Sequence, residues 1–249
     1  MTNIREILSR RYDLSTFIVH LTRDFDGKIA EENLRSILKS KTVKARTPMG
    51  IARYWVKEHS NAEASQKAVS FSEAPLDQLW SFIQELDPPR KVQFSKFGIV
   101  FPRLVARRLD LNPIWYIDKT PGTTWLHGRK GSSSPLNRLI EKIDQDDFSA
   151  SPISHLTPFI DPMGTWGESK REFSWEREWR KVGDLNFKPS DLAFGLAPED
   201  KIEELEKWVN RLTSYKERKY PVRFVDPTWG LEEILAILSG IERSDFSPF

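Results

Sequence analysis

Three polar groupings set into apolar runs carry residue types that could do chemistry. The most suggestive is Phe173-Ser174-Trp175-Glu176-Arg177-Glu178-Trp179-Arg180. Read as a strand, Ser174, Glu176, Glu178 and Arg180 share one face, and Phe173, Trp175, Arg177 and Trp179 share the other, because successive side chains alternate. Two carboxylates side by side repel each other, an arrangement that marks functional acids unless cations sit nearby. The plainer alternative is a solvated edge strand whose Glu and Arg make cross-strand ion pairs. Trp on both sides of the acid pair argues against full solvation.

The other two groupings lie earlier. In His20-Leu21-Thr22 an imidazole and a hydroxyl stand at i and i+2 on one strand face, after an apolar run. Alone, this fits a structural histidine bonded to backbone better than a functional one. In Ser70-Phe71-Ser72-Glu73, followed by Ala74-Pro75, a carboxylate ends a buried strand. It serves equally well as a cleft-facing acid or as a cap for the helix that follows.

These groups must be positioned by the surrounding elements. The spacing predicts a helix over 3–11, a β-branched strand over Thr16–Thr22 and a helix over Glu31–Ser40 with Leu34, Ile37 and Leu38 on one face. A strand over Ala68–Ser72 and a helix over Leu76–Leu86 follow, the latter stopped by Pro88-Pro89. Phe97–Phe101 and Pro113–Ile117 read as buried strands with a short basic helix between them. Residues 119–134 read as a turn-rich loop, 137–146 as a helix, and 149–166 as irregular. A long alternating strand is expected over Glu172–Val182. The tail reads strand Leu192–Leu196, helix Pro198–Lys216, strand Val222–Val225 and helix Leu231–Ile241. The expectation is one α+β domain over residues 1–249, with a core from about 14 to 196 and a β-α-β-α extension from about 191 to 249.

Composition narrows the function classes. Of 249 residues, 38 are basic and 36 acidic, so a net charge of +2 exerts no global pull on nucleic acid or anionic lipid. The absence of cysteine removes disulfides, thiolate metal sites and cysteine nucleophiles, and suits a reducing cytoplasm. No apolar run is long enough to span a membrane and no secretory signal is visible, so a soluble cytoplasmic chain is expected. Nine Trp and fifteen Phe are mostly core material, with a few Trp as candidates to line a pocket for a flat ligand. His20, His59, His127 and His155 lack metal-ligand spacing, so no metal is expected. Gly128-Arg129-Lys130-Gly131-Ser132 has the wrong order for a phosphate loop. No glycine-rich dinucleotide fingerprint or Gly-x-Ser-x-Gly elbow occurs.

In order, the chain offers His20-x-Thr22, Phe71-Ser72-Glu73-Ala74-Pro75-Leu76, Phe97-Gly98-Ile99-Val100-Phe101, Asn112-Pro113-Ile114-Trp115-Tyr116-Ile117 and Glu176-Arg177-Glu178-Trp179-Arg180. This layout resembles the AbiGi family of abortive-infection phage-resistance proteins, whose members are often labelled antitoxins. The resemblance runs from about Phe17 to Leu196. The same layout is similar to the ADP-ribosyltransferase-like superfamily, which implies a split β-sheet core with flanking helices and NAD as substrate without a glycine-rich loop. On that resemblance His20 and Thr22 hold the adenosine-side ribose, and Ser72 and Glu73 lie near the nicotinamide ribose. Glu178 bonds the nicotinamide-ribose hydroxyl and stabilises the oxocarbenium-like transition state, Glu176 orients or deprotonates the acceptor, and Arg180 or Arg177 meets the pyrophosphate. One branch carries a middle-strand Tyr where this chain has Phe71-Ser72-Glu73; Tyr116, on a different strand, is the candidate replacement. The implied activity is ADP-ribose transfer to a macromolecular acceptor, protein or nucleic acid. The alternative is a catalytically inactive antitoxin that binds and neutralises a cognate toxin.

Overall fold

The computed structural model describes residues 14–53, 56, 60–84, 93–118, 120, 138, 148, 150–166, 169–172 and 174–241. The first stretch carries β1 (Phe17–Leu21), α1 (Ala30–Ser40), β2 (Thr42–Val43) and β3 (Thr47–Pro48). Next come α2 (Ser60–Gln66), β4 (Lys67–Ser72), α3 (Trp80–Ile83), β5 (Gly98–Pro102) and α4 (Arg103–Arg108). The middle of the chain gives β6 (Asn112–Pro113), β7 (Trp115–Asp118), β8 (Ile160–Trp166) and β9 (Ser169–Arg171). The last part holds β10 (Glu178–Val182), β11 (Leu185–Asn186), β12 (Phe194–Leu196), α5 (Glu199–Arg211), β13 (Phe224–Val225) and α6 (Leu231–Leu238). The architecture is mixed α+β with a mixed multistranded sheet, and no helix among the described residues is long and apolar enough to cross a membrane. The helix expected over 3–11 lies outside the described residues, as do the loop over 119–134 and the helix over 137–146 except for Thr120 and Arg138.

The described residues gather into two compact units. One takes the described residues within Met1–Thr42, Phe71–Leu109 and Asn186–Phe249, the other those within Val43–Ser70 and Asp110–Leu185. In the first unit the strand order is β13-β12-β5-β1-β4, the last strand entering with its final two residues. β1 and β5 pair antiparallel from Phe17↔Pro102 to Leu21↔Gly98, and β12 pairs antiparallel with β5 but parallel with β13. The parallel pair needs a crossover, and α5 supplies it. The tail expected as an extension is therefore built into this sheet through β12.

The sequence explains these elements locally. Ile18 and Val19 are β-branched and buried, which suits a central strand. α1 buries Ala30, Leu34 and Leu38, and each buried leucine stabilises by about 2 kcal/mol. Its start is held by Asp24 Oδ1, which accepts from the Ala30 amide at 2.8 Å, and it ends where Lys41 turns left-handed at φ 55°. Val19, Val100, Phe194, Leu196, Val225, Ile234 and Ile237 form the core of this unit.

In the second unit β10 lies between β4 and β6, pairing Trp179↔Pro113 and Arg180↔Asn112 with the latter. β3 adds to β4 through Thr47↔Ala68. Parallel β7 and β8 place Tyr116 opposite Asp161, and β9 returns antiparallel to β8. Ala52, Val56, Ala62 and Phe148 form an apolar cluster. Beside it the buried Gln66 side chain donates to Ser154 O at 3.0 Å and accepts from Thr157 Oγ1 at 2.7 Å.

Two expectations change here. The strand expected over Glu172–Val182 is broken: Ser174–Glu176 is a 3-10 turn, Arg177 has φ 44°, and regular strand starts at Glu178. A left-handed residue reverses the alternation, so the reading of Glu176 and Glu178 as neighbours on one strand face does not hold. Trp175 is correspondingly 40% exposed rather than packed beside the buried Trp179. The segment over 149–166, expected as irregular, contains β8.

Candidate functional site

The second unit gathers a polar cluster around β10. Glu178 and Arg180 stand two apart on this strand, so their side chains leave the same face. Arg180 is 3% exposed. Its Nε donates to Glu178 Oε1 at 2.7 Å and its Nη2 to Glu178 Oε2 at 2.8 Å. Nη2 also donates to Asp161 Oδ2 at 2.5 Å, and Nη1 to Pro158 O at 2.6 Å. Burial works against the guanidinium charge, but Glu178 and then Asp161 outweigh it, so the group is held even more firmly protonated than usual.

Glu178 has further fixed neighbours. Ser70 Oγ, from β4, donates to Oε1 at 2.5 Å. The Glu178 amide donates to Tyr116 Oη over a long 3.4 Å, and its carbonyl accepts from the Ile114 amide at 3.0 Å. Burial raises the Tyr116 pKa well above its ordinary value, and the Glu178 charge adds to the rise, so the phenol stays protonated. A carboxylate offers about four acceptor positions. Oε1 has both of its own filled, by Ser70 and Arg180, whereas Oε2 has one filled by Arg180 and one without a hydrogen bond among the described residues. Glu178 is thus oriented by Ser70 and Arg180, with one acceptor position of Oε2 unused among the described residues. Glu176 is half-buried on the 3-10 turn that precedes β10.

The remaining residues singled out in the sequence belong to the first unit. His20 is half-buried near the end of β1, its ring 5.1 Å from that of Phe71 and tilted by 46°. Thr22 is 4% exposed, and its hydroxyl is shared between Ala30 O at 2.9 Å and Phe97 O at 3.1 Å. It ties the end of β1 to α1 and to the approach to β5. Ser72 is half-buried opposite Val19. Glu73 is 5% exposed and accepts from Arg103 Nη1 at 2.8 Å.

The structure therefore brings together Tyr116, Glu178 and Arg180 and adds Ser70, which stood in the second grouping without a role, and Asp161, which sequence reasoning did not single out. Ser70 carried a usable signal, since it shares a strand face with Ser72 two residues on. Asp161 carried none, because its role depends on the parallel pairing of β7 with β8. Arg180 spends four of its five N–H donors within the protein, an engagement different from the pyrophosphate contact implied by the resemblance. Comparison of this chain with protein-family models, with curated proteins and with solved structures finds no match.

Proposed function

We propose that the chain is an anti-phage abortive-infection protein of ADP-ribosyltransferase type, which cleaves the nicotinamide–ribose bond of NAD and passes ADP-ribose to a macromolecular acceptor. In that reaction the bonding pair leaves with nicotinamide and C1 of the ribose becomes positively charged. A fixed carboxylate that also accepts a ribose hydroxyl stabilises this charge without having to reorganise. The observation that carries the reading is the Glu178 carboxylate, oriented by Ser70 and Arg180 and, among the described residues, with one acceptor position of Oε2 unused. Glu176, on the adjoining turn, is the group assigned to take the acceptor's proton as its oxygen or nitrogen attacks C1. The order of polar motifs along the chain supports the same reading.

A second reading has its own observation. The Thr22 hydroxyl is committed to two backbone carbonyls, and Arg180 ion-pairs both with Glu178 and with Asp161, as in a site kept for structure alone. This favours a catalytically inactive antitoxin that binds a cognate toxin.

The experiment that separates the two is nicotinamide release from NAD by purified protein, wild type beside Glu178→Gln, with and without cell extract as acceptor source. Transfer predicts release by the wild type and loss of about a hundredfold or more in the variant, the scale on which a preplaced electrostatic group acts. No release by folded wild-type protein, together with a stable complex with the product of a neighbouring gene, would establish the binding reading instead.

A further inference from the structure

Asp161 is a buried charged group, in direct contact with Arg180, that the proposed chemistry leaves without a task. It is the second residue of β8 and 6% exposed. Oδ2 accepts from Arg180 Nη2 at 2.5 Å, while Oδ1 meets Arg53 Nη1 at 3.4 Å, a longer contact to a guanidinium that is a quarter exposed. Nothing in the sequence motifs points to this residue.

We infer that Asp161 is a positioning residue for Glu178 and acts through Arg180; the inference rests on the reading of Glu178 as the acid that faces the ribose. The guanidinium is planar, so fixing two of its edges fixes the third. Pro158 O holds Nη1 and Asp161 holds one N–H of Nη2, which leaves Nε and the other N–H of Nη2 aimed at the two oxygens of Glu178. The orientation of the Glu178 carboxylate is thus set from β8 rather than by β10 alone.

Charge gives Asp161 a second effect. Arg180 alone would cancel Glu178 and weaken the field on a developing cation. Asp161 offsets Arg180, so Glu178, Arg180 and Asp161 together keep a net negative charge, with Arg53 as a more distant and more solvated counter-ion. Loss of Asp161 leaves Glu178 both less firmly oriented and more fully neutralised. Neither change touches how NAD is bound elsewhere, so the turnover number should fall and KM should not.

The test uses the full-length protein in two measurements. Side-chain nitrogen NMR of Arg180, assigned with Arg180→Lys, reads whether rotation about its Cζ–Nε bond is arrested. Distinct Nη1 and Nη2 signals are expected in the wild type, faster exchange between them in Asp161→Asn, where the Glu178 fork and Pro158 O remain, and slow exchange again in Asp161→Glu. In nicotinamide release, Asp161→Asn should lose about tenfold to a hundredfold in kcat, the scale of a misplacement of about 1 Å, with KM for NAD unchanged within about twofold. Merged signals in the wild type, exchange in Asp161→Asn no faster than in the wild type, or an unchanged kcat in that variant would each overturn the inference. A wild type without turnover refutes the reading of Glu178 itself. The NMR comparison then still decides whether Asp161 locks the fork, and Asp161→Glu keeps the comparison possible should Asp161→Asn fail to fold.

Discussion

Arg180 closes a two-point fork on Glu178, its neighbour two positions back on the same strand, with Nε on Oε1 at 2.7 Å and Nη2 on Oε2 at 2.8 Å. A fork between i and i+2 is local in sequence, yet its burial is not. β10 is an inner strand, and Asp161 and Pro158 come from residues some 20 positions earlier in the chain. Such a pair is costly to break, because whichever partner remains is a buried charge without its counter-ion.

Arg180→Met tests that cost. The substitution keeps much of the side-chain volume and leaves two carboxylates facing the gap, so it should destabilise by about 3–5 kcal/mol in urea unfolding at neutral pH. Arg180→Lys should recover only part of the loss, since an ammonium cannot fork a carboxylate. A Met variant within about 1 kcal/mol of wild type would show that the pair contributes little, as exposed pairs do.

Ser70→Ala removes one hydrogen bond to Oε1 and leaves the ion pair in place. The expected cost is about 1.5–3 kcal/mol of stability, the range for a hydrogen bond to a charged group. Melting temperature measured beside wild type reads it, and an unchanged value would mean that the hydroxyl bond is replaced by water.

Asp226 supplies the pH dependence. It is 2% exposed and accepts from Lys96 Nζ at 3.0 Å, the Glu199 amide at 3.0 Å and both the amide and hydroxyl of Thr228. Burial pushes its carboxyl up, but these bonds together outweigh burial and hold it below the ordinary 3.8. Because the folded-state value is the lower one, the stability it contributes is complete above about pH 4 and is lost as pH falls from there through the lowered value. Asp226→Asn should be less stable at neutral pH by about 2 kcal/mol and should lose less as pH falls below about 4. Thermal melts across that range check both, and parallel wild-type and variant profiles would rule the linkage out.

Gly195→Ala should destabilise the first unit. A Cβ built there falls 2.2 Å from the Phe224 ring, which is fully buried. Overpacking of this kind costs about 1–3 kcal/mol. Urea unfolding of Gly195→Ala beside Phe224→Leu/Gly195→Ala separates the effects, since the smaller partner should restore part of the loss.

Where local pattern and tertiary structure agree, the chain was legible. Ile18-Val19 and Ile99-Val100 read as strands and are strands. Leu34 and Leu38 read as one helix face and are buried together, and the strand-helix-strand-helix tail appears as β12, α5, β13 and α6. The failures have physical causes. Around Glu176, polar and aromatic residues alternate as in a strand, and no Gly or Pro marks the break. Arg177 adopts φ 44° all the same, at a cost of about 1 kcal/mol or more that the surrounding structure must supply. β8 holds Pro162 and Gly164, which read as loop residues, and Gly164 has φ 98° with Asp118 and Thr120 where a Cβ would stand. In the candidate site Tyr116, Glu178 and Arg180 could be named from their motifs. Asp161 could not, because only the pairing of Tyr116 with Asp161 across β7 and β8 brings it to Arg180.

The strand order β13-β12-β5-β1-β4 has a consequence for how the chain matures during synthesis. β5 waits between one neighbour made about 80 residues before it and another made about 95 residues after it. Loops of that length must close before the pairing that rewards them forms, and long-range pairing of this kind slows folding. A ribosome that has delivered everything up to Lys188 has exposed β5 on the side that β12 will cover. The first unit is completed only by the last quarter of the chain, so truncated products carry an open edge suited to chaperone binding or aggregation rather than a smaller folded protein.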